Sequence, residues 1–348
     1  MVSRRIRQTF ITLLLVAIAL AAGGGWFLWT DYQRVLDAPL AIASDQETLV
    51  VPRGTGLRQL ATQIADAGML PAAHYVIARV YQRGEVAAIK AGEYQLTPGM
   101  TLDQLIDQLV AGRSLQFPVT LIEGRTFRQA LADIQNTAPF QATLVDLSDA
   151  EIIARLGLDI DHPEGWFLPE TYHFNRGATD AMVLQRAHQR MQTVLAKEWA
   201  KRDPDLPLET PYEALILASI IERETGRADE RAKIAGVFVR RLNIGMRLQT
   251  DPTVIYGLGE DFDGRLRRAD LQRDTPYNTY LHHHLPPTPI ALPGQAAIHA
   301  ALHPLPGRSL YFVSRGDGSH HFSATLAEHN CAVQRYIRGR ECNLERFQ

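Results

Sequence analysis

The residues best suited to chemistry are two glutamates that follow an apolar run in the second half of the chain. Glu222 and Glu224 close the segment 210–226, in which residues 214–221 are almost wholly apolar. A protonated carboxyl group can act as a general acid, and a carboxylate can act as a base. The pair therefore predicts acid–base chemistry or, as the alternative, a solvated helix end with ordinary ion pairs.

Helical periodicity separates the two carboxyl groups. At about 100° per residue, Glu224 lies below Ile220 and Ile221 on the buried stripe, whereas Glu222 lies about 200° away. Burial beside isoleucine disfavours the charged form and raises a pKa, which would suit Glu224 to the role of a general acid. The alternative, a solvated helix end in which Glu224 pairs with Arg227 or Arg231, stays open on helix geometry alone. Glu222 is either a second, supporting catalytic group or a structural ion-pair partner.

The helix that carries this pair has a well-specified beginning. Thr210 is a natural N-cap, Pro211 suits the first helical position, and Glu213 completes a capping box. A helix that is apolar around most of its surface is buried on most sides. We therefore expect a buried helix over residues 210–225. Further helical signals cover residues 181–201 and 228–242.

Short strand–turn–helix units precede this region and repeat weakly along the chain. Residues 48–51 and 94–96 are predicted strands, and each is followed by a turn and a short amphipathic helix. Thr101 and Gln104 form a capping box at the start of the second of these helices, and Gly112 is placed to end it.

These signals indicate an α+β fold in two parts. Residues 47–115 are predicted to form a small α+β module that resembles the LysM type, which binds N-acetylated sugars; the alternative is a spacer. Residues 116–348 are predicted to form a larger α+β domain, with a fainter copy of the repeat at 124–129 and short strands over 311–313 and 321–322.

An uncharged, apolar run near the N-terminus is long enough to span a bilayer. Three arginines precede it within residues 1–9, so the positive-inside rule makes this segment a cytoplasmic tail and places everything after the span outside. We assign residues 10–30 to a transmembrane anchor and residues 31–46 to a linker. The alternative is a cleaved signal peptide, since residues 17–21 contain two small-x-small cleavage patterns.

Composition limits the class of partner. The 348 residues are 46% hydrophobic and 21% charged, with a formal net charge of -2. The chain therefore lacks the excess of lysine and arginine that nucleic-acid binding usually requires, and we expect no nucleic-acid partner. The two cysteines, Cys331 and Cys342, lie close in sequence and in an oxidising compartment, and we predict that they form a disulfide.

Three long strings of residues follow one another in the C-terminal half. Residues 217–225 read Leu-Ala-Ser-Ile-Ile-Glu-Arg-Glu-Thr, residues 240–257 include Leu-Gln-Thr-Asp-Pro-Thr-Val, and residues 276–280 read Pro-Tyr-Asn-Thr-Tyr. Shorter strings of the same kind lie at 285–287, 291–294, 303–304, 311–313 and 326–330. Together they resemble the YceG-like family of endolytic murein transglycosylases. With the anchor and the module, the resemblance covers nearly the whole chain.

The resemblance implies a lytic transglycosylase that cleaves the β-1,4 bond between N-acetylmuramic acid and N-acetylglucosamine in nascent peptidoglycan strands. The muramic C6 hydroxyl would attack, leave a 1,6-anhydro end and terminate strand elongation. The family's catalytic acid is the second glutamate of the Glu-x-Glu string, here Glu224; Arg223 stands where the family usually has lysine. The resemblance also implies an inner-membrane protein with a periplasmic catalytic domain, peptidoglycan synthases as partners and no cofactor.

Side chains suited to a glycan-binding groove follow the acidic pair. They are Gln249, Thr250, Asp251, Tyr256, Tyr277, Asn278 and Tyr280. Amides and hydroxyls can hydrogen-bond a sugar while aromatic rings pack on it, although each residue also suits a role in loop structure. The three histidines at 282–284 predict no metal site, because adjacent histidines cannot all face one ion. His320 and His329 lie in family-like strings and are expected to border the site.

Two other functions stay open. A non-catalytic, membrane-tethered peptidoglycan-binding scaffold of the cell-wall synthesis machinery would use the module at 47–115. An ordinary hydrolase would pair Glu224 with Glu222 or Asp251, since most glycosidases use two carboxyl groups. The products separate the three possibilities, because a scaffold leaves the strand intact, a hydrolase leaves a reducing end and a lytic enzyme leaves an anhydro end.

Overall fold

A long N-terminal helix, α1 (Val2–Asp37), opens the structure. The computed structural model describes residues 2–44 and 47–347, with side chains from Thr9 onward, so Met1 of the predicted tail and residues 45–46 of the predicted linker lie outside the described residues. Within α1, the part from Thr9 is long and apolar enough to cross a membrane, and an 18-residue stretch of it has a mean hydropathy of 2.2. Its side chains are exposed as far as Trp29, which fits a lipid-facing surface.

The first of two compact units comprises residues 1–117. Its sheet pairs β1 (Thr48–Val51) antiparallel with β2 (Gly92–Gln95), so that Leu49 lies opposite Tyr94. Its further helices are α2 (Leu57–Asp66), α3 (Ala73–Arg83) and α4 (Leu102–Ala111). The strands and the helices α2 and α4 lie close to their predicted positions, whereas α3 was not predicted.

Local sequence signals explain how this unit is built. The capping box of α4 forms in full between Thr101 and Gln104, and Gly112 ends the helix with left-handed backbone (φ 72°). Leu36 and Leu40 are buried in the same core as the sheet. The end of α1 and the first residues after it therefore contribute to the packing of this unit, within the segment that the sequence assigned to a linker.

The second unit comprises residues 118–348. Its helices are α5 (Phe127–Gln135), α6 (Asp149–Leu156), α7 (Asp180–Trp199), α8 (Pro211–Glu224), α9 (Arg231–Asn243), α10 (Asp251–Leu258), α11 (Gln295–Leu302) and α12 (Leu326–Tyr336). Its strands pair as β3 (Phe117–Thr120) with β4 (Thr171–Phe174) and as β5 (Tyr311–Ser314) with β6 (His320–Ser323). Its short 3-10 turns are Gly259–Asp261, Asp270–Gln272 and Glu345–Phe347, and a further one, Val86–Ala88, lies in the first unit.

Helix α8 is the central element of this unit. All residues from 214 to 221 are buried, and α7, α9, α10 and α11 pack against it. Thr210 caps the helix by accepting the Glu213 N–H at 3.2 Å. The carboxylate of Glu213 accepts the Glu209 N–H instead of returning to the cap, so half of the predicted capping box forms.

The C-terminal segment is fastened by a disulfide. Cys331, on α12, is bonded to Cys342, with their Cα atoms 5.5 Å apart. The predicted pairing is confirmed, and it ties α12 to the residues that follow it.

Candidate active site

Glu224 is the last residue of α8 and lies where this buried helix reaches a partly exposed surface. The stripe above it consists of Leu217, Ile220 and Ile221, all fully buried, as the helical spacing predicts. Thr225 is extended (φ -149°), so the chain leaves the helix directly after the glutamate. The carboxyl group is thus held by a rigid element at a place that a ligand can reach.

The hydroxyl of Thr250 donates a hydrogen bond to Oε1 of Glu224. Thr250 is itself fixed, because its N–H donates to Thr279 Oγ1 at 3.1 Å and its carbonyl accepts from Thr253 Oγ1 at 2.8 Å. The preceding Gln249 has left-handed backbone (φ 48°), which is rare for a non-glycine residue and is concentrated at functional sites. Among the residues that the structure describes, none bonds Oε2 of Glu224.

The electrostatic setting favours a protonated acid. Burial raises the pKa of Glu224 to about 7, and the hydrogen bond from Thr250 opposes this rise. The negative charge of Asp251 raises the pKa further, while His320 and Arg241 lower it. The carboxyl group consequently keeps its proton in a substantial fraction of molecules at neutral pH, as a general acid must.

Fixed polar groups surround the acid. The Tyr280 hydroxyl donates to Oδ1 of the exposed Asp251 at 2.6 Å. Arg241 is buried and donates to the carbonyls of Leu310, at 2.6 Å, and Leu248, at 2.5 Å. Among the described contacts its guanidinium bonds carbonyls and no carboxylate, so its positive charge acts on Glu224.

The other carboxyl group of the pair is engaged by protein. Glu222 has a side chain only 5% exposed, its Oε2 accepts the Gly294 N–H at 2.9 Å, and its Oε1 lies 3.5 Å from the guanidinium of Arg231. Burial raises the pKa of Glu222, and the bond from Gly294 opposes that rise. These contacts are those of a structural ion pair, one of the two roles that the sequence left open.

A cavity of about 790 Å³ beside the last turn of α8 includes Tyr256 and Tyr277 in its wall. Their rings meet edge to face with centroids 4.9 Å apart. The Tyr277 hydroxyl bonds Thr288 Oγ1 at 2.9 Å, and the Tyr256 hydroxyl donates to Glu164 Oε2 at 3.2 Å. The volume and the aromatic wall suit a small organic group such as a sugar ring.

Glu164 is a buried carboxyl group that the sequence analysis did not identify. It is 3% exposed, and its Oε1 accepts the Phe127 N–H at 2.9 Å. Burial raises the pKa of Glu164 to about 8, although the bonds from Phe127 and Tyr256 lower it. In the sequence it lies between Pro163 and Gly165, where no periodicity signals burial.

Asn278 supports the loop that carries two of the candidate groove residues. It is fully buried, and its Nδ2 donates to the carbonyls of Leu271, at 3.2 Å, and Arg273, at 2.8 Å. Its Oδ1 accepts the Tyr280 N–H at 3.0 Å. Its own polar atoms are therefore used within the protein, and it positions Tyr277 and Tyr280.

The histidines divide between the site and the surface. His320 contacts the buried Glu230, with Nδ1 2.7 Å from Oε2, and it is among the charges that act on Glu224. In the run at 282–284, His282 contacts Asp274 and His283 contacts the Gly245 carbonyl, so these side chains bond different partners.

The ring of His329 lies 5.2 Å from that of Tyr311, between centroids. Tyr311 also lies under the guanidinium of Arg241, which is 5.4 Å from its ring centroid. His329 thus packs beside the buried cation and does not contact the acid directly among the described bonds.

Comparison with known proteins identifies the family. Residues 49–335 match the model of the YceG-like family. A relative from Bacillus subtilis (strain 168), named endolytic murein transglycosylase, is 33% identical over 334 residues, 90% of this chain and 91% of that protein. A relative of the same name from Streptococcus pneumoniae serotype 2 (strain D39) is 26% identical over 95% of this chain, which spans 65% of that protein.

A solved structure is also similar. The 2.6 Å crystal structure of a YceG-like protein from Listeria monocytogenes superposes with a TM-score of 0.53 at 30% identity. The match covers 83% of this chain and 99% of that one. The chain belongs to the YceG-like family.

Proposed function

We propose that this protein is an endolytic lytic transglycosylase that cleaves the β-1,4 bond between N-acetylmuramic acid and N-acetylglucosamine in nascent peptidoglycan strands and so ends their elongation. The relatives named endolytic murein transglycosylase support the activity. The observation that carries the proposal is the placement of Glu224, a carboxyl group with a raised pKa, at the exposed end of the buried helix α8.

A single carboxyl group suffices for this reaction. Protonated Glu224 donates its proton to the glycosidic oxygen, and the bond from that oxygen to C1 of the muramic residue breaks. The C6 hydroxyl of the same sugar attacks C1, and the Glu224 carboxylate takes the C6 proton. One strand end is then a 1,6-anhydro sugar, the other carries a free hydroxyl, and the acid is regenerated.

The neighbouring residues position the acid and the glycan. Thr250 holds one oxygen of Glu224, and Gln249 and Asp251 flank it on the same segment. Tyr256 and Tyr277, in the wall of the cavity, supply aromatic surfaces for sugar rings, and Tyr280, bonded to Asp251, supplies a third. Asn278 holds the loop that carries Tyr277 and Tyr280. Glu222 accepts the Gly294 N–H and pairs with Arg231, so its role is structural.

The rest of the chain brings this chemistry to the membrane. Residues 10–30 anchor the protein in the inner membrane, with residues 1–9 in the cytoplasm, residues 31–46 as a connection, and residues 116–348 as the periplasmic catalytic domain. The apolar, exposed helix α1 supports the anchor. Nascent strands are made at this membrane, so peptidoglycan synthases are the expected partners.

The module at 47–115 has the LysM-like role of binding N-acetylated sugars. Its antiparallel strand pair with intervening helices supports this assignment. A groove of about 580 Å³ in this unit offers polar groups to a glycan. The polar residues that line it include Gln95, Gln104, Gln108 and Arg113.

A second candidate is a hydrolase of the same bond. Asp251 favours it, because this exposed carboxylate follows Thr250 directly and its charge acts on Glu224. Such an enzyme would use Asp251 to activate water or as a nucleophile. Glu222 is a poor second group for this purpose, since Gly294 and Arg231 already engage its oxygens.

Product analysis tests the proposal. The full-length protein in detergent is incubated with peptidoglycan strands, and the products are identified by mass spectrometry. We expect new internal cuts that end in 1,6-anhydro-muramic acid, lighter by one water than a reducing end. Reducing ends would establish the hydrolase instead, and intact strands would favour the scaffold.

A further inference from the structure

Two histidines and a glutamate, from α7 and from α11 with the residue that follows it, bring three potential ligand atoms together. Glu198, in the last turn of α7, and His299, on α11, are 101 residues apart in sequence, and His303 follows α11. One ligand atom from each lies within 4.8 Å of the other two. We propose that these three side chains bind one transition-metal ion of the zinc type and so connect α7 to α11.

The surrounding residues orient the proposed ligands. Gln295 Nε2 donates to Oε1 of Glu198 at 3.1 Å, which fixes the carboxylate. His303 Nδ1 lies 2.8 Å from Oδ1 of Asp203, which can only accept, so in the neutral ring Nδ1 would carry the hydrogen and Nε2 would offer a lone pair to the ion. A carboxylate on the far nitrogen of a histidine is the usual outer partner of a metal-bound imidazole.

The geometry is close to what a bound ion requires. Donors at about 2.0–2.1 Å from a tetrahedral zinc ion are about 3.3 Å from one another. The His299 Nδ1 and Glu198 Oε2 atoms are 2.9 Å apart as hydrogen-bond partners, so the ion would take the place of the hydrogen on Nδ1, which His299 would lose or carry on Nε2. The rings of His299 and His303 are 4.4 Å apart between centroids. Rotation of the His299 side chain, which is 59% exposed, can supply the remaining adjustment.

The donor set indicates the class of ion. Two imidazoles with one carboxylate suit zinc and neighbouring transition metals, whereas magnesium and calcium prefer oxygen ligands alone. The exposed side of His299 leaves room for water as a fourth ligand. Because α7 and α11 both pack against α8, the ion would stabilise the helices that hold Glu224 in place.

Titration of the full-length, detergent-solubilised protein with zinc chloride tests this inference. We expect one equivalent to bind and the midpoint of thermal unfolding to rise, since a ligand that binds only the folded state stabilises it. Magnesium chloride should cause no such rise. His299→Ala should weaken zinc binding at least tenfold without loss of folding, because the side chain is largely exposed.

Two more variants make the result decisive. Asp203→Asn keeps all three ligands but should lower zinc affinity about 10- to 100-fold by removing the outer carboxylate. His282→Ala is the matched control, because His282 also contacts a carboxylate, Asp274, at 2.6 Å and lies in the run of histidines at 282–284. Wild-type protein that binds no zinc would overturn the inference. Equal affinities for His299→Ala and His282→Ala would overturn it as well.

Discussion

Glu222 and Glu224 are two residues apart, yet their carboxyl groups have different surroundings. Glu222 accepts an N–H and faces the cation of Arg231, whereas Glu224 accepts the hydroxyl of Thr250 and has no ion-pair partner among the described residues. Burial keeps the proton on Glu224 up to about pH 7, although the charges of His320 and Arg241 lower its pKa. The side of the helix on which each glutamate lies is therefore the basis for proposing Glu224 as the acid and Glu222 as a structural residue.

The raised pKa of Glu224 predicts how activity depends on pH. The reaction needs the protonated acid, and the pKa of Glu224 is about 7, so the cleavage rate should fall as the pH rises through about 7. The rate is measured as kcat/KM between pH 5 and 9 with soluble glycan strands. A rate that stays constant up to pH 9 would contradict the assignment of this group as the acid.

The buried Glu164 makes a separate prediction about stability. Its pKa is about 8 in the folded protein and ordinary when unfolded, so the folded state binds more protons between those values. This contribution to stability is complete at low pH and is lost as the pH rises, by at most about 1.4 kcal/mol per pH unit. Glu164→Gln should flatten the pH dependence of the urea midpoint between pH 5 and 8.

A surface glutamate provides the control for that measurement. Glu170 is exposed and pairs only with Arg190, at 3.3 Å, so Glu170→Gln should leave the pH dependence of the wild type almost unchanged. If Glu164→Gln and the wild type lost stability in parallel with rising pH, the buried carboxyl group would not be the origin of the dependence.

At the scale of elements, the helices α4 and α8, which were predicted from the sequence, begin at capping residues of their own. The start and end of α8 and the capped helix α4 follow from their own residues, and both were predicted. Helix α3 has no side-chain cap, and α10 is a short helix between loops, so neither carries a strong local signal. Their existence depends on packing within each unit, which a single sequence does not display.

The substitution Gly236→Ala tests how closely α9 packs against the chain at Leu305. A Cβ atom at this position would lie 2.4 Å from the carbonyl oxygen of Leu305, which is backbone and cannot move aside cheaply. Gly236→Ala should destabilise the second unit by about 1 to 3 kcal/mol through overpacking, against the gain of about 1 kcal/mol in helix propensity. A thermal melt measures the loss.

Gly226→Ala is the matched substitution, because no atom lies within 4 Å of the added Cβ. Its unfolding midpoint should equal that of the wild type within about 0.5 kcal/mol. A Gly236→Ala protein as stable as this control would show that α9 does not contact Leu305 so closely.

At the scale of the whole molecule, the chain is expected to keep its N-terminal helix. Helix α1 runs unbroken past the small-residue patterns at 17–21 and ends at Asp37, next to Leu36, which is buried in the first unit. We predict that the protein isolated from membranes retains residues 10–30. Intact-mass measurement or N-terminal sequencing checks this, and a mature start near Ala22 would show a cleaved signal peptide instead.

The contacts between distant residues in the site could not be predicted from the sequence. The acid was predicted because its burial follows from helical spacing within one element. The contacts of Thr250 with Glu224, of Glu164 with Tyr256, and of Glu198 with His299 join residues from different elements, 26 to 101 positions apart. No periodicity links such pairs, and only the folded chain brings them together.

The most direct test of the central claim compares two amide substitutions in one assay. Full-length Glu224→Gln and Glu222→Gln proteins are incubated with peptidoglycan strands, and anhydro ends are counted by mass spectrometry. Glu224→Gln should lose about 10²- to 10⁴-fold of the activity, or more, while it keeps its fold, because the amide has the same shape but no proton to give. Glu222→Gln should be less active than the wild type but clearly functional. An active Glu224→Gln protein beside an inactive Glu222→Gln protein would contradict the account.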